Sequence, residues 1–132
     1  MFAYIASPYT HDDPDIRLRR YIDACNFTTW VALTVKITPY SPIVHWHVIA
    51  TRDGLPKDAQ FWLKIDLDML KAAKSMYVLA IDGWEESKGV QGEMIFAAKH
   101  GINIALATPS YLKNVEPPHY LITSMRTKTV KT

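Results

Sequence analysis

A second cysteine is missing. Cys25 stands alone among 132 residues, which excludes an intramolecular disulfide and makes a reducing compartment the default. Its place in a helical pattern reads as a small buried hydrophobe. Also missing is any apolar run of the roughly eighteen residues that a membrane-spanning helix needs. The first residues, Met1 to Tyr9, carry no charged leader region, so neither a secretory signal nor a membrane is expected and the cytoplasm is the expected location. An excess of one charge is absent as well: the net charge is +2 and 21% of residues are charged. That balance gives no footprint for polymeric DNA or RNA, and Arg17, Arg19 and Arg20 suit at most a small anion. Neither G-x-x-x-x-G-K-[ST] nor G-x-G-x-x-G occurs, so NTP hydrolysis and dinucleotide binding lack support and no cofactor is expected.

What is present suits one domain spanning residues 1–132, 48% hydrophobic, with a basic polar tail from about residue 124. An apolar run at 2–6, closed by Ser7-Pro8, predicts a first buried strand. Asp12-Asp13-Pro14 opens a long helix with Leu18, Tyr21 or Ile22, Cys25, Thr29 and Ala32 at apolar spacing. Residues 35–38 read as a second strand that Pro39 and Pro42 end, followed by a loop over 40–57. A helix over 58–74 carries Phe61, Trp62, Ile65, Met69, Leu70 and Ala73 on its stripe, with Asp66 and Asp68 beside it. A third strand over 76–81, a helix over 90–100 stopped by Gly101, a fourth strand over 102–107, a proline-containing loop and a short strand over 120–123 complete the chain. Strands alternating with helices predict a small doubly wound α/β fold of Rossmann or flavodoxin type. Its parallel sheet of about four to five strands has helices on both faces.

In such a sheet, ligands lie beyond the carboxyl ends of the strands. Tyr4, Ser7 and Tyr9 come with the first strand, Ser41, His45 and His47 follow the second, and Asp82, Ser87 and Glu93 follow the third. Asp66 joins them from the preceding helix. Gly89, Gly92 and the amides around Ser87 lie at a helix start, which favours an anion, although Ser87 also reads as an ordinary N-cap. His45 and His47 form an H-x-H pair, but no third ligand follows at metal-binding spacing, so a substrate contact is expected in place of a metal. Trp46, Trp62 and Trp84 are candidates for stacking on a flat ring, Trp84 first because it shares a loop with Ser87. Asp66 and Glu93 form a carboxylate pair of the kind that handles an oxocarbenium-like state at a sugar anomeric carbon.

The order Tyr4 to Tyr9, Arg17 to Tyr21, Ser41 to His47, Phe61-Trp62 with Asp66, and Gly83 to Val90 with Glu93 resembles the nucleoside 2-deoxyribosyltransferase-like superfamily over roughly residues 2–107. The nearest branch is the short proteins similar to pyrimidine-nucleotide N-glycosidases. The resemblance implies an enzyme acting on the base–sugar bond of a nucleoside or nucleotide, with Glu93 at C1′, Tyr4 orienting it and Asp66 assisting proton transfer at the base. It further implies that Ser7 and Ser87, with Arg17 or Arg20, hold a 5′-phosphate, and that the chain forms a homodimer or higher homo-oligomer. The glycine- and arginine-containing first loop of deoxynucleoside-monophosphate hydrolases is replaced here by Ala6-Ser7-Pro8-Tyr9-Thr10. A non-catalytic nucleotide or signal-molecule binder that keeps the pocket is the alternative expectation.

Overall fold

The computed structural model describes residues 1–110 and 119–125. The expected proline-containing loop falls mainly on residues 111–118 and the basic tail on 126–132, which lie outside the described residues. The order is β1 (Phe2–Ala6), α1 (Pro14–Trp30), a π-helical turn (Val31–Val35), β2 (Thr38–Tyr40), α2 (Pro42–Asp53), α3 (Ala59–Lys71), β3 (Ser75–Leu79), α4 (Lys88–Lys99), β4 (Asn103–Ser110) and β5 (His119–Met125). The five strands form one sheet in the order β2-β1-β3-β4-β5. The first four run parallel, and β5 pairs antiparallel with β4. This is the Rossmann/flavodoxin-like arrangement, and its order reverses between β1 and β3, where a crevice opens beyond the strand ends. Among the described residues no helix is long and apolar enough to cross a membrane.

Two departures from the sequence reading matter. The strand expected over 35–38 begins only at its last residue: α1 continues through the π turn over Val31–Val35 and stops at Lys36, whose φ of 61° is left-handed. β2 therefore starts at Thr38 and contains Pro39, which is tolerated because β2 is an edge strand paired with β1 alone. The second departure is larger, since the expected loop over 40–57 is mostly helix α2. Ser41 caps it by accepting from Val44 N at 3.2 Å, Pro42 occupies its first turn, and Gly54 ends it at φ 64°.

Alternation along β1 divides the interior. Tyr4 and Ala6 point to a cluster with Leu70, Met76, Val78, Val90 and Met94, supplied mainly by β3, α3 and α4. Ile5 points to the other face and packs with Phe27, Val31, Leu79 and Tyr120. The buried stripe of α1 is Ala24 and Phe27, continued by Val31. The stripe expected from the sequence lies a fraction of a turn away: Leu18 is 46% and Ile22 48% exposed, Thr29 and Ala32 are exposed, and Cys25 is half-buried. The bulk of Phe27 decides which side of α1 turns inward.

Candidate active site at the switch point

A cleft of about 1030 Å³ lies beyond the ends of β1 and β3. Each wall has a local cause. From β1 the chain enters a loop whose Ser7 and Tyr9 line the cleft. Helix α2 presents one face, with Ile43, Trp46, His47, Ala50 and Thr51 at spacings of three and four, and α3 presents Asp58, Trp62 and Asp66 in the same way. The start of α4 contributes Ser87, Lys88 and Gly89, and Glu93 lies one turn further on. Ser87 caps α4 through Val90 N at 3.2 Å, so the remaining first-turn amides face the cleft end of the helix dipole.

Glu93 occupies a position that helical packing would give to an apolar residue. The buried face of α4 is Val90, Glu93, Met94 and Ala97, and Glu93 is only 5% exposed. Among the described residues the single ion pair joins Arg52 to Asp53 at the surface, so no cation compensates Glu93. Gly92 sets the approach of α3: a Cβ there would sit 3.3 Å from Leu63 Cδ1. That close contact, one residue before Glu93 and one turn before Asp66, brings the two acids into the same pocket.

The electrostatics follow from burial. Desolvation pushes the Glu93 carboxyl well above the usual carboxylate range, and the charge of Asp66 raises it further, while Tyr4 partly offsets both. Desolvation alone lifts Asp66 to about 7. Tyr4, fully buried in β1, is raised by burial first and then by the charges of Glu93 and Asp66. Its hydroxyl lies beside Glu93 without a partner in regular hydrogen-bond geometry, and Ser7 Oγ and Asp66 Oδ1 are likewise buried and unpartnered. Buried polar atoms without partners are uncommon in finished cores. With Trp46 Nε1, four such atoms gather around one cleft, where a ligand's own polar groups can pair with them.

Of the residues expected at the site, Ser7, Tyr9, Arg17, Arg20, His47, Asp66, Ser87, Gly89 and Glu93 line the cleft. Tyr4 stands behind this lining, against Glu93. His45 does not line it: on a helix two residues apart do not share a face, and His45 is exposed, packed against Tyr40 and Trp46. Trp84 turns into the apolar cluster of β3 and α4. The aromatic wall is instead Trp46 and Trp62, whose ring centroids are 5.6 Å apart, with Trp62 Nε1 donating to Pro56 O at 2.6 Å. Part of the donor capacity of both arginines goes to backbone carbonyls. Arg17 bonds the carbonyls of His11 and Asp12. Arg20 ties Thr10 O at 3.0 Å to Asp82 O at 3.3 Å, joining the two loops of the switch point. Gly83 makes room for that guanidinium, which any Cβ at its φ of 90° would strike. Among the described residues no group of three or more His, Cys, Asp or Glu side chains gathers in a way that could hold a metal ion.

Sheet order and site together define an open α/β protein with uncompensated acids at its switch point. Over residues 2–108 the chain matches the family described as a domain of unknown function, DUF1937, and it belongs to that family. No curated protein matches it.

Proposed function

We propose that this chain is an N-glycosidase or 2-deoxyribosyltransferase-like enzyme that cleaves the base–sugar bond of a pyrimidine nucleoside or its 5′-monophosphate, with Glu93 as nucleophile. The observation that carries the reading is the meeting of buried Glu93 and half-buried Asp66 in one cleft, with Tyr4 buried behind Glu93 and no cation beside them among the described residues. Burial makes the Glu93 anion costly, so a positive charge growing at C1′ gains more from it than the neutral ground state does. The pair titrates as a unit, and attack uses the singly protonated form in which Glu93 is the anion and Asp66 keeps the proton for the leaving group, although burial raises Glu93 strongly as well. In the forward step a Glu93 oxygen bonds to C1′ as the C1′–N bond breaks. The bonding pair stays on the base nitrogen, and Asp66 supplies the proton. In the second step water, or a second base, bonds to C1′ and releases Glu93, and its proton passes to Asp66.

Trp46 and Trp62 offer flat apolar surface for the base. The first-turn amides of α4 beside Ser87 and Gly89 offer a place for a 5′-phosphate. Assembly as a homodimer or larger homo-oligomer belongs to the same reading, and the exposure of Leu18 and Ile22 on α1 is compatible with it. The test is chromatographic detection of free base from a panel of ribo- and deoxyribonucleosides and their 5′-monophosphates, with and without an acceptor base. Release by the parent protein and none by Glu93→Ala is the expected result. The burial of Glu93 also favours a second reading, a nucleotide binder, because it favours the protonated carboxyl, a hydrogen-bond donor suited to holding a ligand. Tight calorimetric binding with no base released across the panel would establish the binder instead.

A further inference from the structure

Helix α2 turns His47 toward the cleft and surrounds it closely. Tyr9 Oη lies 2.5 Å from His47 Nδ1. The Tyr21 ring stacks on the imidazole at a centroid distance of 4.1 Å and an interplanar angle of 17°, and the Tyr9 ring meets it edge-on at 5.5 Å. Two aromatic contacts and one short hydrogen bond fix both the plane and the rotation of the ring. Nδ1 is thereby occupied, and Nε2 has no protein partner among the described residues, although His47 lines the cleft. A side chain held this firmly, with one polar atom left over, is shaped to present that atom to a ligand.

We propose that His47, its tautomer set by Tyr9, is a substrate-orienting residue whose Nε2–H donates to an oxygen of the ligand, either a sugar hydroxyl or a phosphate oxygen. The ligand class rests on the function proposed above, whereas the tautomer rests on the Tyr9–His47 contact and the relative donor and acceptor strengths of its two groups. A phenol is a stronger donor than an imidazole N–H, and an imidazole nitrogen is the better acceptor, so the short contact runs from Tyr9 O–H to Nδ1. The groups facing the ring act in the same direction. Burial first, then the Arg17 cation, holds His47 below its ordinary pKa. Tyr9 is raised by burial, which outweighs the opposing effects of Arg17 and Thr51, and so keeps its proton. A neutral imidazole with Nδ1 accepting carries its hydrogen on Nε2. Tyr9 is then a positioning residue that acts through the imidazole ring, and His45, exposed on another side of α2, has no share in this role.

Nitrogen-15 NMR of the histidine rings tests this, with His47→Gln identifying the resonance among the five histidines. At pH 7 Nδ1 is expected bare and Nε2 protonated, and Tyr9→Phe is expected to mix the tautomers. Adding a nucleoside or a 5′-monophosphate of the panel is expected, for at least one of the two classes, to move Nε2 and leave Nδ1 bonded to Tyr9. A hydroxyl contact responds equally to a nucleoside and its 5′-monophosphate, whereas a phosphate contact responds to the monophosphate and to inorganic phosphate. In turnover, His47→Asn is expected to raise KM about tenfold with kcat little changed, and His47→Gln, which keeps a donor near the Nε2 position, to recover most of it. An Nδ1–H tautomer overturns the proposal, as does an Nε2 resonance that stays in place with every ligand of the panel. Because the resonance reports binding without chemistry, movement of Nε2 with no base released would sink the glycosidase reading and leave this one standing.

Discussion

On the α1 face of the sheet, Ile5, Phe27, Val31 and Leu79 close around Tyr120 with aromatic contacts, and among the described residues the buried cluster holds no carboxyl, Asp23 of α1 being only half-buried at its edge. On the α3 and α4 face a similar set of apolar residues shares its interior with Tyr4, Asp66 and Glu93. The same strands supply both layers, so strand chemistry does not explain the difference. One face is filled for stability. The other carries polar groups whose burial opposes folding, and such groups persist where a ligand completes them.

The contrast can be broken most sharply at Glu93. Glu93→Gln keeps the shape and removes the charge, and is expected to lower turnover at least about 10³-fold, roughly 4 kcal/mol in activation free energy, while the melting temperature at pH 8 holds or rises. A fall in melting temperature alongside lost activity would recast Glu93 as a structural group. Phe27→Ala is the converse experiment. A fully buried aromatic removed from the other face should cost about 3–5 kcal/mol by denaturant titration, with activity per folded molecule retained.

Asp66 gives a pH-dependent version of the same comparison. Its folded pKa of about 7 lies above the ordinary 3.8, so folding favours the neutral acid. Its contribution to stability is therefore most favourable below about pH 4, declines as pH rises toward 7, and is level above that. Asp66→Asn should thus stabilise the protein by about 2–4 kcal/mol at pH 8 and hardly at all at pH 4. Equal gains at both values would show that the acid is not desolvated. The smallest expected effect is at the mouth of the cleft. Gly83→Ala places a side chain at φ 90° against Arg20 and should cost about 1–3 kcal/mol. Ligand affinity is expected to fall with it, and a variant as stable as the parent would show that the Arg20 bridge carries no weight.

How far this face could be read from the chain varies by residue. Glu93 and Asp66 were legible because a strand, a glycine-bearing loop and a helix in sequence point to the ends of β1 and β3, and the doubly wound order follows from the same alternation. Helix α2 was missed although its signals are ordinary: Ser41 as cap, Pro42 in the first turn, Gly54 as stop. Pro42 was read as ending structure when it begins it, and an eighteen-residue loop in a chain this short should have argued against itself. Once α2 is a helix, His47 parts from His45 and Trp46 joins the cleft wall. The rotation of α1 was not legible, because Leu18 and Ile22 repeat as regularly as Ala24 and Phe27. Only packing against β1 and β3 selects between the two faces. Trp84 was assigned by its loop, and its depth is a tertiary fact.

The rim of the sheet at β2 bears on the behaviour of the protein at high concentration. An open strand edge is a template on which another chain can add, and long flat edges seed aggregates. β2 is three residues long and has Pro39 at its centre, so it offers an incoming strand too few groups to hold. The proline that looked like the end of a strand thus protects that side of the sheet from self-association through its backbone.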